Sequence, residues 1–187
     1  MTAAVQKYTR IAMALHWLIA GLIVVNVVLV WVVDSLPEAW GRPVIDTHKS
    51  IGITVLGLAL MRLLWRFTHR PPAMPPNYPA WQRRLAHVAH ALLYGVMLAL
   101  PLSGWMHDSA WKDAAAHPMQ WFGLFEWPRI AAITSVEPVA KENLHDLFGE
   151  IHEAFGYLLY ALYVLHVGAA LMHQFRDKEP ELQRMLP

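Results

Sequence analysis

The sequence predicts an all-α integral membrane protein, a bundle of four transmembrane helices. Of its 187 residues, 56% are hydrophobic and only 16% are charged. The mean hydropathy of +0.31 is well above that of a soluble domain. The apolar residues fall into four runs, each close to the ~20 residues that cross a bilayer. The runs and their connections use up the chain, so residues 1–187 are interpreted as a single domain.

The first predicted span covers residues 11–33. Lys7 and Arg10 precede it, and no small-residue cleavage site follows, so we interpret it as a retained span and not as a removed signal peptide. The second span covers residues 48–67. A proline-rich linker, residues 69–79, must be non-helical because proline removes backbone donors and disfavours helix in the preceding residue.

The third and fourth spans cover residues 85–106 and 152–175, separated by a long outer loop, residues 107–151. This loop contains the aromatic patch Trp121-Phe122-Gly123-Leu124-Phe125. We expect the patch to lie along the membrane interface as an amphipathic element, with an irregular loop as the alternative. Three histidines in or beside the loop, His107, His117 and His145, are expected to be solvated.

The distribution of charge sets the predicted orientation. Ten basic residues lie on the side of the termini and the proline linker, against five on the other side. This asymmetry places both termini in the cytoplasm. No basic run is dense enough to indicate nucleic-acid binding. The absence of cysteine excludes disulfides, thiolate-held iron–sulfur clusters and covalently attached haem.

The fourth span carries a stripe of histidines at positions 145, 152, 166 and 173. All of the spacings are multiples of seven, which places the four side chains on one helix face. The stripe is ~42 Å long and exceeds the ~30 Å hydrocarbon core, so its end members lie at the interfaces. Because histidine is costly in hydrocarbon, His152 and His166 require a partner such as a metal ion or haem iron.

Depth in the membrane pairs these histidines with others. His16 lies about one and a half turns after Arg10, near the cytoplasmic face, and matches His166. His48 begins the second span near the outer face and matches His152. Two pairs at two depths predict two bis-histidine haems b, each held between facing helices. Zinc or copper fits less well, since each pair offers only two nitrogens.

Glycines support this interpretation. Gly52 and Gly156 each lie four residues after a predicted ligand and therefore on the same helix face. A flat macrocycle needs such a patch without side chains. The alternative is close helix–helix packing through small residues.

Other polar residues of the spans have less certain roles. His87 and His90 either compete with His16 for the inner iron or line a quinone or proton site. His173 is expected at the interface, with contact to a quinone head group as the alternative. Arg62 either snorkels to the interface, which we prefer, or meets an anion such as a haem propionate. No serine–histidine–acid constellation is present.

Several segments resemble bacterial cytochrome b561: His16-Trp17, His48-Lys-Ser-Ile-Gly52, Met61-Arg62-Leu63, Leu85-Ala-His87, Pro101-Leu-Ser-Gly104, His166-Val-Gly-Ala-Ala-Leu-Met-His173 and Arg184-Met185-Leu186-Pro187. The resemblance covers essentially the whole chain, with a longer outer loop. It implies a multi-pass protein of the bacterial inner membrane, a single cytochrome b domain with two haems b. The ligands it implies are the four that depth selected.

The resemblance also implies a function. The family includes a superoxide oxidase, which passes an electron from superoxide at the outer face through two haems to ubiquinone. The expected activity is therefore that of an oxidoreductase whose partners are membrane lipid, quinone and superoxide or another periplasmic electron donor. The first alternative is a cytochrome b subunit that passes electrons from a dehydrogenase or hydrogenase to quinone. Haem or metal transport or sensing is disfavoured, because bis-histidine ligation leaves no position for an incoming ligand.

Overall fold

The computed structural model describes residues 6–75 and 78–186. Pro76 and Asn77 of the predicted linker, and Pro187, lie outside the described residues. Four long helices form the bundle: α1 (Arg10–Val33), α2 (Glu38–Thr68), α3 (Ala80–Ser109) and α5 (Pro138–Phe175). The smaller elements are a 3-10 turn (Ala114–Ala116), β1 (Gln120–Trp121), β2 (Phe125–Glu126), α4 (Ala131–Thr134) and α6 (Glu181–Met185). All four long helices are long and apolar enough to cross a membrane, which confirms the predicted fold class.

The two ends of the bundle differ in what they carry. We call the end where α1 begins and α5 ends the terminal end; the proline linker also lies there. The opposite end, with the connections 34–37 and 110–137, is the loop end. The described part of the linker is non-helical, as predicted.

Two helices begin well before the apolar runs that predicted them. α2 starts at Glu38 instead of residue 48, and α5 starts at Pro138, so the last part of the predicted outer loop is helical. At the start of α5 the Glu137 carboxylate accepts hydrogen bonds from the first backbone N–H groups. Pro138 suits the first helical position, because it has no N–H group that would need an acceptor there. Apolar length predicts where a helix crosses the membrane and not where its hydrogen bonding starts.

Adjacent helices pack in antiparallel pairs, most extensively α1 on α2 and α3 on α5. Two small apolar clusters fill these contacts, Ile19, Ile51 and Val55 in the first pair and Val96, Leu159 and Leu162 in the second. Large apolar side chains such as Leu64 and Val164 are instead exposed on the outside of the bundle. Such an apolar exterior suits contact with lipid.

At the loop end, a buried carboxylate fastens the connection to the bundle. Asp108, only 4% exposed, pairs with Lys49 Nζ at 2.7 Å and with Arg129 Nε at 2.8 Å. The same Arg129 guanidinium donates to the carbonyls of Ala114 and His117. The two cations pair with the Asp108 carboxylate, and the carbonyls accept the other hydrogen bonds of Arg129. These partners offset the cost of burying the charges.

At the terminal end, the closing segment ties the chain together. Arg184 is buried and donates to the carbonyls of Pro72 and Ala73, the latter at 2.7 Å. Its own carbonyl accepts from the Tyr8 backbone N–H, and the Trp17 indole donates to the carbonyl of Met185. α6 therefore holds the proline linker and the start of α1 in place.

Candidate functional site

The histidines at the loop end face each other across the bundle. The ring centroids of His48 on α2 and His152 on α5 are 6.1 Å apart. His152 Nδ1 donates to the Leu100 carbonyl at 2.9 Å, and His48 Nδ1 makes a longer 3.4 Å contact with the Asn26 carbonyl. Because a carbonyl can only accept, each Nδ1 carries the proton and each Nε2 keeps its lone pair. Metal-binding histidines are typically oriented in this way.

A glycine of α3 makes room for the His152 ring. A Cβ atom added to Gly104 would lie 2.9 Å from His152 Cε1, closer than real contacts allow. Ser103, beside it, has its hydroxyl 3.2 Å from His152 Nδ1. The Pro101-Leu-Ser-Gly104 segment therefore shapes the position of the imidazole. Helical periodicity could not predict this contact, because Gly104 and His152 lie on different helices.

A cavity of about 520 Å³ is lined by His48, His152 and Gly52. A Cβ atom added to Gly52 or to Gly156 would meet no atom within 4 Å. Close helix packing as the reason for these two glycines is therefore wrong. Gly52 lines the cavity, which agrees with the prediction that it leaves space for a flat group, whereas Gly156 is not among the lining residues.

The cavity is also lined by a second imidazole pair, which was not predicted from the sequence. His107 and His145 are stacked with their centroids 3.8 Å apart, and each Nδ1 donates to the backbone carbonyl of the other. Gly149 permits the contact, since a Cβ there would lie 3.1 Å from His107 Cε1. The expectation that these two histidines are solvated is corrected: they join α3 to α5.

Three imidazoles meet near the terminal end. The centroids of His16 and His166 are 6.1 Å apart, and those of His90 and His166 are 5.6 Å apart. His90 Nδ1 donates to the Ala86 carbonyl of its own helix at 2.7 Å. His87 is exposed. Of the two histidines near the start of α3, His90 is the one that reaches the predicted inner pair.

Arg62 borders a basic cavity of about 330 Å³ at the terminal end. Its guanidinium donates to the Ala12 carbonyl, one turn from His16, and to the Tyr94 hydroxyl. The cavity is lined by four basic side chains, those of Lys7, Arg62, Arg66 and Arg70. Such a cluster suits an anionic or strongly polar ligand group.

His173 belongs to a cluster with the closing segment. Its Nδ1 lies 2.7 Å from an Asp177 carboxylate oxygen, and its ring stacks on Tyr78 with centroids 4.9 Å apart. The Tyr78 hydroxyl donates to Glu181. Burial, followed by the charge of Glu181, raises the pKa of Tyr78, so this hydroxyl remains a donor at neutral pH.

The spacing of the facing rings fits a metal ion between them. With about 2 Å for each metal–nitrogen bond and about 1 Å from the nitrogen to the ring centre, two imidazoles on one metal have centroids about 6 Å apart. Both predicted pairs have this spacing, 6.1 Å. Together with the cavity that His48, His152 and Gly52 line at the loop end, this spacing shows that the residues present fit haem.

Four membrane-crossing helices with facing histidines inside the bundle define a membrane cytochrome b. A family model described as prokaryotic cytochrome b561 matches residues 7–187. The chain belongs to the prokaryotic cytochrome b561 family, which confirms the resemblance seen in the sequence. It is therefore a multi-pass bacterial membrane protein and an oxidoreductase that binds haem b and transfers electrons across the membrane.

Curated relatives agree over nearly the full length. The chain is 31% identical to cytochrome b561 homolog 2 of Escherichia coli (strain K12) over 183 residues, 97% of this chain and 92% of the relative. It is 27% identical to cytochrome b561 homolog 1 of the same organism, covering 97% of both chains. It is 26% identical over 186 residues to a probable superoxide oxidase CybB of Yersinia pestis, again covering 97% of both.

Proposed function

We propose that the protein binds two haems b and passes electrons through them from superoxide at the loop end to ubiquinone at the terminal end. The observation that carries this proposal is the presence of two facing imidazole pairs with the same 6.1 Å spacing. His152 and His166 are fourteen residues apart on α5, so the pairs are separated by ~21 Å along the bundle. One site near each membrane face is the arrangement that a transmembrane electron path needs.

In this proposal His48 and His152 are the ligands of the loop-end haem, and His16 and His166 are those of the terminal-end haem. Haem b supplies one-electron oxidation and reduction at its iron. Bonds from Nδ1 to backbone carbonyls hold the loop-end rings in the ligating orientation and raise the basicity of Nε2. Two imidazoles per iron leave no open coordination position, which favours electron transfer over ligand binding.

Superoxide as donor is supported by the similarity to the probable superoxide oxidase of Yersinia pestis and by the charge at the cavity mouth. Arg42 and Lys49 lie over the Trp111 ring, at 5.0 and 5.9 Å from its centroid. Asp46 and Asp108 pair with these cations, and Arg129 also pairs with Asp108. The cluster therefore has three cations and two carboxylates, and this excess of one positive charge is what would attract a small anion.

Ubiquinone as acceptor is supported by the basic cavity at the terminal end, where Arg62 lies beside the imidazole cluster. A guanidinium there is suited to a quinone head group or to a haem propionate. The excess of basic residues at this end supports a cytoplasmic location for both termini. His173 pairs with Asp177, stacks on Tyr78 and is not among the residues that line this cavity, so its contact with a quinone is a separate part of the proposal.

Stopped-flow mixing tests the donor. The oxidised protein is mixed with superoxide, and haem reduction is followed with and without a soluble ubiquinone analogue. We expect rapid reduction, followed by reoxidation when the quinone is present. The matched control is His152→Ala, in which superoxide-driven reduction is lost. Haems that remain oxidised in the wild-type protein would exclude superoxide as the donor.

A second candidate function is that of a membrane subunit for a partner dehydrogenase or hydrogenase. The observation that favours it is the exposed apolar surface of the loop-end connection, at Phe122, Leu124 and Phe125. The same experiment separates the two functions, because a membrane subunit remains oxidised with superoxide and is reduced by a dehydrogenase that purifies with it.

A further inference from the structure

The aromatic patch of the loop-end connection forms a hairpin, residues 120–126, which we call the aromatic hairpin. β1 pairs with β2 in antiparallel register, Trp121 opposite Phe125. Its outward side chains are apolar and unusually exposed, 46% for Phe122, 72% for Leu124 and 49% for Phe125. Exposed apolar side chains clustered in this way indicate an interaction surface.

The hairpin is docked on α2 by side-chain hydrogen bonds. Ser50 Oγ accepts from the Phe122 backbone N–H at 3.0 Å. Its one proton is shared between the Asp46 carbonyl of its own helix at 2.8 Å and the Gln120 carbonyl of the hairpin at 3.1 Å. The Trp121 indole donates to Thr54 Oγ1 at 3.1 Å. The position of the hairpin relative to the bundle is therefore set by Ser50 and Thr54.

Ser50 and Thr54 lie on the outer face of α2. At 100° per residue, they are rotated by about 160° and about 120° from His48, which faces the bundle interior. Met61 and Leu64 fall in the same sector of the helix and are 51% and 65% exposed. Because α2 crosses the membrane, this sector faces lipid, and the hairpin covers its loop-end part.

The contact also fixes the depth of the hairpin. Thr54 lies five residues beyond Lys49, the last charged residue before the apolar part of α2, which is ~8 Å along the helix axis. Interfacial amphipathic segments are typically buried by about 5–10 Å. Trp121 therefore lies at the depth where tryptophan is enriched in membrane proteins.

The turn of the hairpin keeps an aromatic residue in a strained conformation. Phe122 has φ of 50° and is followed by Gly123 with φ of 69°. Turns of this kind favour asparagine, aspartate or glycine at both positions, and a bulky side chain with positive φ is an outlier. This strain makes the tip of the hairpin a candidate for a role other than forming the turn.

We propose that the aromatic hairpin is an interfacial membrane anchor that inserts Phe122, Leu124 and Phe125 into the bilayer leaflet at the loop end, beside α2. The occupant of this surface is lipid and not a second protein, because the hairpin continues the lipid-facing sector of a membrane-spanning helix at interfacial depth. The anchor fixes the depth of the connection in the bilayer near the loop-end cavity. Because this surface is inserted in lipid, a dehydrogenase cannot dock on it.

The absence of cysteine from the 187 residues allows a direct depth measurement. Leu124→Cys is labelled with a nitroxide in the full-length haem-loaded protein and reconstituted in lipid nanodiscs. Collision with oxygen, which concentrates in lipid, is compared with collision with a water-soluble nickel chelate. Met61→Cys gives the lipid reference and exposed Lys112→Cys gives the aqueous reference.

We expect the label at position 124 to collide often with oxygen and rarely with the nickel chelate. Both collision rates should be closer to those at position 61 than to those at position 112. Nickel accessibility equal to that of position 112 would overturn the anchor. Low accessibility to both reagents would overturn it as well, because the surface would then be covered by protein. If Leu124→Cys loses its haem b spectrum, the measurement is made on Phe125→Cys with the same criteria.

Discussion

The loop-end and terminal-end histidine pairs have the same 6.1 Å spacing but are held differently. At the loop end, each ring is oriented by a carbonyl from a further helix, Asn26 on α1 and Leu100 on α3. At the terminal end, His166 has two imidazole neighbours, His16 at 6.1 Å and His90 at 5.6 Å.

The difference shows that the spacing between two histidine rings does not by itself decide which histidines would bind an iron. An iron at the loop end would have one facing pair of ligands, because a backbone carbonyl orients each ring and Gly104 leaves room for that of His152. An iron at the terminal end would have a choice of partner for His166. Substitutions of the histidines test the division into two sites, and substitutions of Gly104 and Ser103 test how the His152 ring is held.

The largest effect is expected for His152→Ala. Removing one of the two ligands should abolish haem binding at the loop end and leave the terminal-end haem, so the haem content per chain should fall by half. Haem extraction and the reduced-minus-oxidised spectrum measure this. His117→Ala is a matched control, since that ring stacks on Trp111 in the connection. Unchanged haem content in His152→Ala would contradict the assignment.

The choice of partner at the terminal end is tested by comparing His16→Ala with His90→Ala. We expect His16→Ala to lose the terminal-end haem, because only its spacing to His166 matches the loop-end pair. His90→Ala should keep both haems and change only the potential of one. A redox titration of each variant resolves the two sites. The reverse result would make His90 the ligand and His16 its neighbour.

A smaller effect is expected for Gly104→Ala. The added Cβ would lie 2.9 Å from His152 Cε1, so the ring must move away from its carbonyl partner. Loss of such outer-sphere support lowers metal affinity by about 10-fold to 100-fold. Transfer of haem to an excess of a soluble acceptor protein measures it. Gly95→Ala, at an exposed position of the same helix where the added Cβ meets no atom within 4 Å, should behave as the wild type.

The smallest effect is expected for Ser103→Ala. Its hydroxyl lies 3.2 Å from His152 Nδ1, but the Leu100 carbonyl still accepts the imidazole proton after the substitution. The potential of the loop-end haem should therefore shift by less than about 60 mV, which is a factor of ten for one electron. A shift in the terminal-end haem instead would contradict the assignment of His152 to the loop end.

The sequence was sufficient for features that depend on one segment at a time. Apolar length predicted the four spans, and the prolines predicted the break before α3. Contacts between helices were not accessible, because helix periodicity says which face a residue occupies and not what it meets there. The roles of Gly104, of the stacked His107 and His145, and of Ser50 in docking the hairpin are all of this kind. The early start of α5 was readable, since Glu137-Pro138 is a helix-start signal.

The central claim, two haems b in one chain, is tested most directly by pyridine haemochrome analysis of the purified wild-type protein against its protein concentration. We expect two haems b per chain, one for each facing pair. A value of one haem per chain would contradict the account, because one of the two imidazole pairs would then have a role other than binding iron.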